Sequence, residues 1–332
     1  MRDAPLLAGL SIALLALAFI GLSLGAESIG LRAAVTHLFT APSSIDAVIL
    51  REIRLPRVAI AAVAGATLGL AGAAMQGLLR NPLASPGLIG SSGGAALGAV
   101  TVLYFGGQAL HPQLVPLAGM AGALLATAVV WLLAGRQADI TTLILAGVAV
   151  NAFTTALLSL LLNLAPSPFA VRELLYWTLG DLSDRSLPDL WLMLPCTLLG
   201  WALLLGTGRA LDALSLGERT AQSLGVHVAR LRWRLFIGTA LTVGAAVATT
   251  GTIGFIGLVV PHLLRPLVAH EPGRLLGASA LGGACLLMAA DIGVRLIPGG
   301  TPLKVGVLTA LVGAPFFVVL ILNARRHTVS GS

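Results

Sequence analysis

A chain of 332 residues that is 57% hydrophobic and only 10% charged lacks the surface that keeps a soluble protein dissolved, where roughly a quarter of residues are charged. Its 40 glycines and 17 prolines are scattered through long aliphatic runs, as in transmembrane helices, which excludes a soluble enzyme, a disordered tail and a collagen-like chain. The net charge of +7 comes from arginines standing singly or in small groups between those runs, with Lys304 the only lysine, so it argues for membrane orientation and against a nucleic-acid face.

The first apolar run, Leu6 to Leu24, is longer than the ~7–15 residues of a signal-peptide core, and Arg2 is offset by Asp3. It is read as a retained spanning helix. The spans predicted in chain order are 5–25, 57–79, 92–107, 114–134, 141–163, 189–207, 235–251, 257–269, 275–297 and 303–323. The eighth is short, broken by Pro261 and preceded by Gly251, Gly254 and Gly257. It reads as a half-length segment packed inside the bundle, since irregular backbone at membrane depth must be covered by protein or line a cavity. The expected fold is therefore an all-α polytopic membrane protein of ten transmembrane helices in one domain, 1–332. With both termini cytoplasmic, 12 of the 20 cations fall on the inner side and eight on the outer, which favours that orientation.

The outer cations Arg51, Arg54 and Arg57 stand just before the second span, where few are expected. Two readings fit: a snorkelling set at the headgroups, or a docking patch for an acidic partner. On the second span, Gly65 and Gly69 form a small-residue packing face. Gln76 either faces a cavity or bonds a neighbouring helix. The stretch 80–87 follows, where Pro82 and Pro86 forbid helix and Asn81 is suited to an Asx-turn, giving a rigid turn or a constriction.

The longest polar island, 208–234, holds two predicted elements. Ser215 and Glu218 have capping-box spacing, and Gly225 is a terminator. Between them a short helix exposes Arg219 and Gln222, with Ala221 and Leu224 on its other flank. A second amphipathic segment is expected from Val226 to Leu231. Such an island reads as a docking surface for another protein or as helices lying on lipid. Later, Asp291 and Arg295 stand four apart and can neutralise each other, and His262 reads as structural. Cys196 and Cys285 lie in apolar runs and offer neither disulfide framework nor metal spacing.

Lys304 is followed by Val305, so no Gly-Lys-Ser/Thr phosphate loop exists in this chain. The acidic relay of an ion-driven pump reduces to Asp291. Energy for transport is therefore expected from another polypeptide; a secondary transporter driven by an ion gradient is the alternative.

The ordered set Arg54-Leu55-Pro56-Arg57, Gly72-Ala73-Ala74-Met75-Gln76, Arg80-Asn81-Pro82-Leu83-Ala84, Leu145-Ala146-Gly147, Tyr176-Trp177, Leu216-Gly217, Leu224-Gly225, Gly251-Thr252-Ile253-Gly254-Phe255-Ile256-Gly257, Pro261-His262, Ala290-Asp291 and Thr309 to Phe316 resembles the permease subunits of bacterial ABC importers for iron-siderophores, haem and cobalamin. The resemblance implies the type II importer fold, a homodimer in the inner membrane, two cytoplasmic ATPase subunits holding ATP and Mg, and a periplasmic binding protein. No cofactor or metal resident in the chain, and no enzyme activity of its own, is implied. Asp212, Leu216, Gly217, Glu218, Arg219, Gln222, Leu224 and Gly225 match the coupling helices that sit in the ATPase. Arg54, Arg57 and Arg295 match arginines that dock the binding protein. Asn81 and Leu83, with Thr141 and Thr142, match the inner gate, and 168–180 a short helix near the outer gate. Gln76 and Tyr176 are pathway candidates. The implied cargo is an iron complex, haem or ferric siderophore, with cobalamin as the alternative. One departure stands out: Thr301 precedes Pro302 where the family often carries an acid, and Lys304 follows.

Overall fold

The computed structural model describes residues 4–24, 44–135, 140–297 and 303–329, the last ten of these by backbone alone. Thr301 and Pro302 lie outside the described residues, as do Arg32 and Arg136. Among the described residues no strand and thirteen helices occur. They are α1 (Ala4–Ser23), α2 (Ile45–Leu79), α3 (Ser91–Tyr104), α4 (Leu114–Ala134), α5 (Ile140–Asn163), α6 (Pro168–Thr178), α7 (Leu187–Leu205), α8 (Gly208–Ser215), α9 (Glu218–Ser223), α10 (Val228–Thr250), α11 (Ile256–Leu264), α12 (Pro272–Leu296) and α13 (Val305–Val329).

All ten predicted runs are helical, and among the described residues seven helices are long and apolar enough to cross a membrane. The shorter ones are α3, with 14 residues, α11 with its 3-10 extension to Val268, and the apolar stretch Val305–Val319 of α13. Two boundaries differ from expectation. The second span begins twelve residues early, at Ile45 rather than 57, because the chain passes through a π-helical turn over Ile49–Arg54 without breaking. The span expected at 235–251 begins at Val228. The segment Val226–Leu231 is therefore no separate element, and its Arg230 rides on the first turn of a long helix.

The core is built around α2, α10 and α12. Nearly every residue from Ala64 to Leu79 of α2 is buried, and so is almost all of α10 beyond Phe236. Helices gain little from apolar burial against each other in lipid, so close packing of small residues decides who neighbours whom. At Gly69 an added Cβ would lie 2.0 Å from the Ser279 carbonyl oxygen, and at Gly65 2.4 Å from that of Gly283. The predicted small-residue face is thus the α2–α12 contact. Trp201 of α7 donates its indole N–H to Thr67 of α2 at 3.0 Å, and Trp131 of α4 packs on Trp233 of α10 with ring centroids 4.7 Å apart. Outward faces of α4, α5 and α7 carry Leu125, Leu132, Phe153, Trp191 and Leu198, all exposed, as suits hydrocarbon contact.

Candidate functional site

At one end of the bundle, α8 and α9 form a small platform between α7 and α10. The expected capping box does not form. Ser215 turns back and donates to the Asp212 carbonyl at 2.6 Å, closing α8. Gly217, at φ 107°, takes the N-cap position of α9, a conformation in which a side-chain-bearing residue is strained. Glu218 instead reaches α10, where Arg232 Nη2 meets its Oε1 at 2.5 Å. The terminator is as read: with Gly225 at φ 85°, Val226 N–H donates to Ala221 O and Gly225 N–H to Gln222 O, both at 2.9 Å. That is a Schellman motif.

A second polar tie anchors the platform. Asp212 Oδ1 accepts the Gly273 N–H at 2.7 Å, placing a carboxylate at the N-terminus of α12, where orphan N–H groups and the helix dipole favour negative charge. The platform is thereby fixed to α12 through Asp212 and to α10 through Glu218. Its outer face carries Arg219 and Gln222, both exposed as expected. Leu224 was expected to pack inward beside Ala221; Ala221 is buried, but Leu224 is 63% exposed and Leu216 66%. Two large apolar side chains held outward among polar residues, on a structured surface, call for a covering partner.

The same end of α2 leads into the proline turn. Arg80 closes the helix at φ 48°, and Asn81 Oδ1 accepts the Leu83 N–H at 2.9 Å, the predicted Asx-turn. Asn81 is exposed and Leu83 half-buried. Ser85 then caps a 3-10 turn over Pro86–Ile89. Thr141 and Thr142 are exposed on the first turn of α5. The described contact between α5 and the turn is made further along. Asn151 Nδ2 donates to Gly87 O at 2.8 Å, and Gly147 admits the Leu88 carbonyl where a Cβ would sit 1.7 Å from it. Asn151 was missed from sequence, although a lone amide in the apolar run 141–163 was the available signal.

Gln76 takes the interhelical alternative. It is 1% exposed, donates to Leu258 O of α11 at 3.3 Å, and accepts from Arg265 Nη2 at 2.6 Å. It links α2 to the half-length segment, and Arg265 is its unforeseen partner.

At the opposite end, the arginine group surrounds the C-terminus of α1. Arg54, 5% exposed, donates through Nη1 to the carbonyls of Leu22 and Ser23 at 2.9 and 2.8 Å. Arg295 Nη1 donates to Gly21 O at 2.7 Å. Asp291 is shared: Arg57 pairs with its Oδ1 at 2.8 Å and Arg295 with its Oδ2 at 2.5 Å. The predicted i,i+4 pair is present, with Arg57 as a third member. All three arginines read as docking residues thus have partners within the chain. Arg57 and Arg295 keep side-chain exposures of only 14% and 10%, so their guanidinium groups are sheltered without being fully buried. Tyr176, half-exposed on α6, lines a cavity of about 800 Å³ at this end, together with Glu173, Asp181, Arg185 and Lys304.

Among the described residues no group of three or more His, Cys, Asp or Glu could hold a metal ion. What the geometry offers is a partner platform mechanically tied to the central helices, a clamped turn beside it, and charged rims at the other end.

Comparison with known proteins agrees. The model of the FecCD transport family matches residues 13–323. The chain is 41% identical over 286 residues to an uncharacterized ABC transporter permease protein, YvrB, of Bacillus subtilis, covering 84% of this chain and 80% of the relative. It is 41% identical over 292 residues to the vitamin B12 import system permease BtuC of Vibrio cholerae, covering 87% and 86%. To the hemin transport system permease HmuU of Yersinia pestis it is 39% identical over 319 residues, covering 92% and 93%. A solved structure described as an inward-facing metal-chelate type ABC transporter superposes with a TM-score of 0.83 at 30% identity, over 96% of this chain and 98% of that one.

Proposed function

We propose a function that proceeds from one premise: this chain belongs to the FecCD transport family. It is an ABC importer permease, a membrane-spanning subunit without an ATPase site of its own, and permeases of this family work with ATPase subunits and a binding protein, generally as dimers. The chain's proposed role is to take a bulky metal chelate from a periplasmic binding protein and release it to the cytoplasm while a separate ATPase hydrolyses ATP. The proposed cargo is a metal chelate in general rather than an iron complex alone, because a vitamin B12 permease and a hemin permease are similarly near relatives. A gradient-driven transporter is set aside on the family match.

The observation that carries the reading is the α8–α9 platform. Leu216 and Leu224 stand outward on it, with Arg219 and Gln222 beside them, and Asp212 and Glu218 tie it to α12 and α10. An ATPase gripping this face would move both helices directly. The platform is accordingly assigned to the cytoplasmic side, as are both termini, in the bacterial inner membrane. The arginine rim is assigned to the periplasmic side, where Arg57 and Arg295 would exchange Asp291 for carboxylates of the binding protein, a complementary-charge contact. The turn at 81–83 and Thr141–Thr142 are assigned to the inner gate, and Tyr176 to the outer part of the pathway. ATP and Mg belong to the ATPase, and the permease itself needs no cofactor.

The test is reconstitution with a candidate partner ATPase. Leu216→Asp with Leu224→Asp should weaken ATPase binding by tenfold or more, about the loss expected for two truncated apolar anchors, measured by pull-down and by MgATP-driven uptake of cyanocobalamin and of hemin. Unchanged binding and uptake would remove the platform from the interface.

A further inference from the structure

Three stretches of backbone converge at the C-terminal end of α6. Asp181 N–H donates to Thr250 O at 2.7 Å and Gly306 N–H to Gly180 O at 3.2 Å, while Thr252 Oγ1 donates to Thr178 O. Gly180, at φ 73°, would place a Cβ 2.5 Å from Thr252 O, and Gly306 would place one 2.1 Å from Leu179 O. The end of α6, the exit from α10 and the start of α13 are therefore in backbone contact at one knot.

The body of α6 is held far more lightly. Leu174 is its only buried side chain. Gln108 Nε2 donates to Glu173 Oε1 at 2.8 Å in an exposed setting. The cavity of about 800 Å³ lies along its flank. Apart from Leu174 and Trp177, which packs on the core near the helix end, the helix makes few apolar contacts, so the polar ties at its end contribute to its position.

One ion pair crosses the knot. Lys304 Nζ, on the approach to α13, bonds Asp181 Oδ2, and side-chain exposures of 17% and 13% shelter the pair from full screening. Asp181 is further held by Ser183, which donates its N–H at 3.0 Å and its hydroxyl at 2.9 Å to Oδ1. Lys304 Nζ also lies 5.4 Å from the Tyr176 ring centroid, and Arg172 lies 5.5 Å from it, within reach of a cation–π attraction. One ammonium thus contacts both the hinge residue after α6 and an aromatic side chain on α6 itself.

We propose that Lys304 and Asp181 are positioning residues that fasten α6 to the start of α13, so that the two move as one unit when this end of the permease opens. The functional consequence rests on the importer reading; the fastening does not. Loss of either charge frees α6 to swing about Gly180 into the adjoining cavity, while exchange of the two charges preserves the tie.

The test uses the full chain in lipid nanodiscs, with Cys196 and Cys285 replaced by Ser and nitroxides on Phe169→Cys of α6 and Leu311→Cys of α13, both exposed positions. Pulsed dipolar spectroscopy should give a narrow distance distribution for the parent, a broadened or shifted one for Lys304→Met and for Asp181→Asn, and recovery in Asp181→Lys/Lys304→Asp. Burial alone would raise the Asp181 carboxyl, but Lys304 and Ser183 outweigh it and hold it below its ordinary value of 3.8. The tie is therefore present above that value and lost only as pH falls through the lowered one, so the parent distribution should stay narrow as pH drops from neutrality to 3.8. In proteoliposomes with ATPase and binding protein, MgATP-driven uptake of cyanocobalamin and of hemin should fall about fivefold in each single variant and recover in the exchange, the factor expected for a partly sheltered pair. Single variants that keep the parent distribution, or a folded exchange variant that stays broad, overturn the fastening. A narrow, charge-dependent distribution together with unchanged uptake in the single variants overturns the coupled-motion role and leaves the fastening upheld, whereas a parent chain that moves neither chelate overturns these two cargoes and leaves the fastening to the distance measurement.

Discussion

Asp291 accepts from two arginines on different helices, Arg57 of α2 and Arg295 of α12, and is itself 1% exposed. Removing one member of such a group strands the others' charge in a sheltered site. Asp291→Ala should therefore destabilise the chain by about 3–5 kcal/mol, seen as a lowered melting temperature and loss of monodisperse protein in detergent. Asp291→Asn should lie between alanine and the parent, because its one carbonyl oxygen still accepts from one guanidinium while its NH2 faces the other. An alanine variant as stable as the parent would show that the shared carboxylate is not what compensates the two arginines. Half of this cluster was legible in the sequence: four-residue spacing on a helix brings Asp291 and Arg295 together regardless of the rest. Arg57 was not legible as their partner, since 234 positions separate it from Asp291 and only helix packing brings them together. Lys304 and Asp181, 123 positions apart, were hidden for the same reason.

Elements were legible wherever length alone decides. Every predicted apolar run is a helix, and Gly65 and Gly69 announced a close contact, though not which helix would fill it. Their occupant is α12, and the approach is tight enough that Gly69→Ala must push the Ser279 carbonyl aside. A cost of about 1–3 kcal/mol follows from such overpacking, measurable as reduced thermal stability in detergent, with Gly277→Ala as control because nothing lies within 4 Å of its added Cβ. Equal effects at both positions would contradict the packing assigned to α2 and α12. Local rules failed where a distant partner competed. Ser215 and Glu218 had capping-box spacing, but Arg232 claims the carboxylate and Gly217 supplies the N-cap. The early start of α10 was missed because its first turns carry Arg230, Arg232 and Arg234, which broke the apolar pattern. Arg232 is drawn to Glu218, and Arg234 Nη2 reaches Leu203 O at 3.3 Å, so those cations are accommodated without ending the helix.

At the scale of the molecule, the platform and the charged rims stand at opposite ends of a bundle whose central helices run between them. Asp212 joins α8 to the first turn of α12, α12 packs on α2 through glycine contacts, and the far ends of α2 and α12 share Asp291 through Arg57 and Arg295. A push on the platform has a continuous, stiff route to the opposite rim, and the described residues contain no acidic relay that would let the chain harvest an ion gradient. In the proposed reading the permease is a conduit moved by a separate ATPase. The most direct measurement is uptake of cyanocobalamin and of hemin into proteoliposomes holding this chain with its binding protein, with the ATPase present or withheld. The account predicts uptake of a metal chelate only with the ATPase and MgATP, and none from a proton or sodium gradient; gradient-driven uptake by the permease without the ATPase would contradict it.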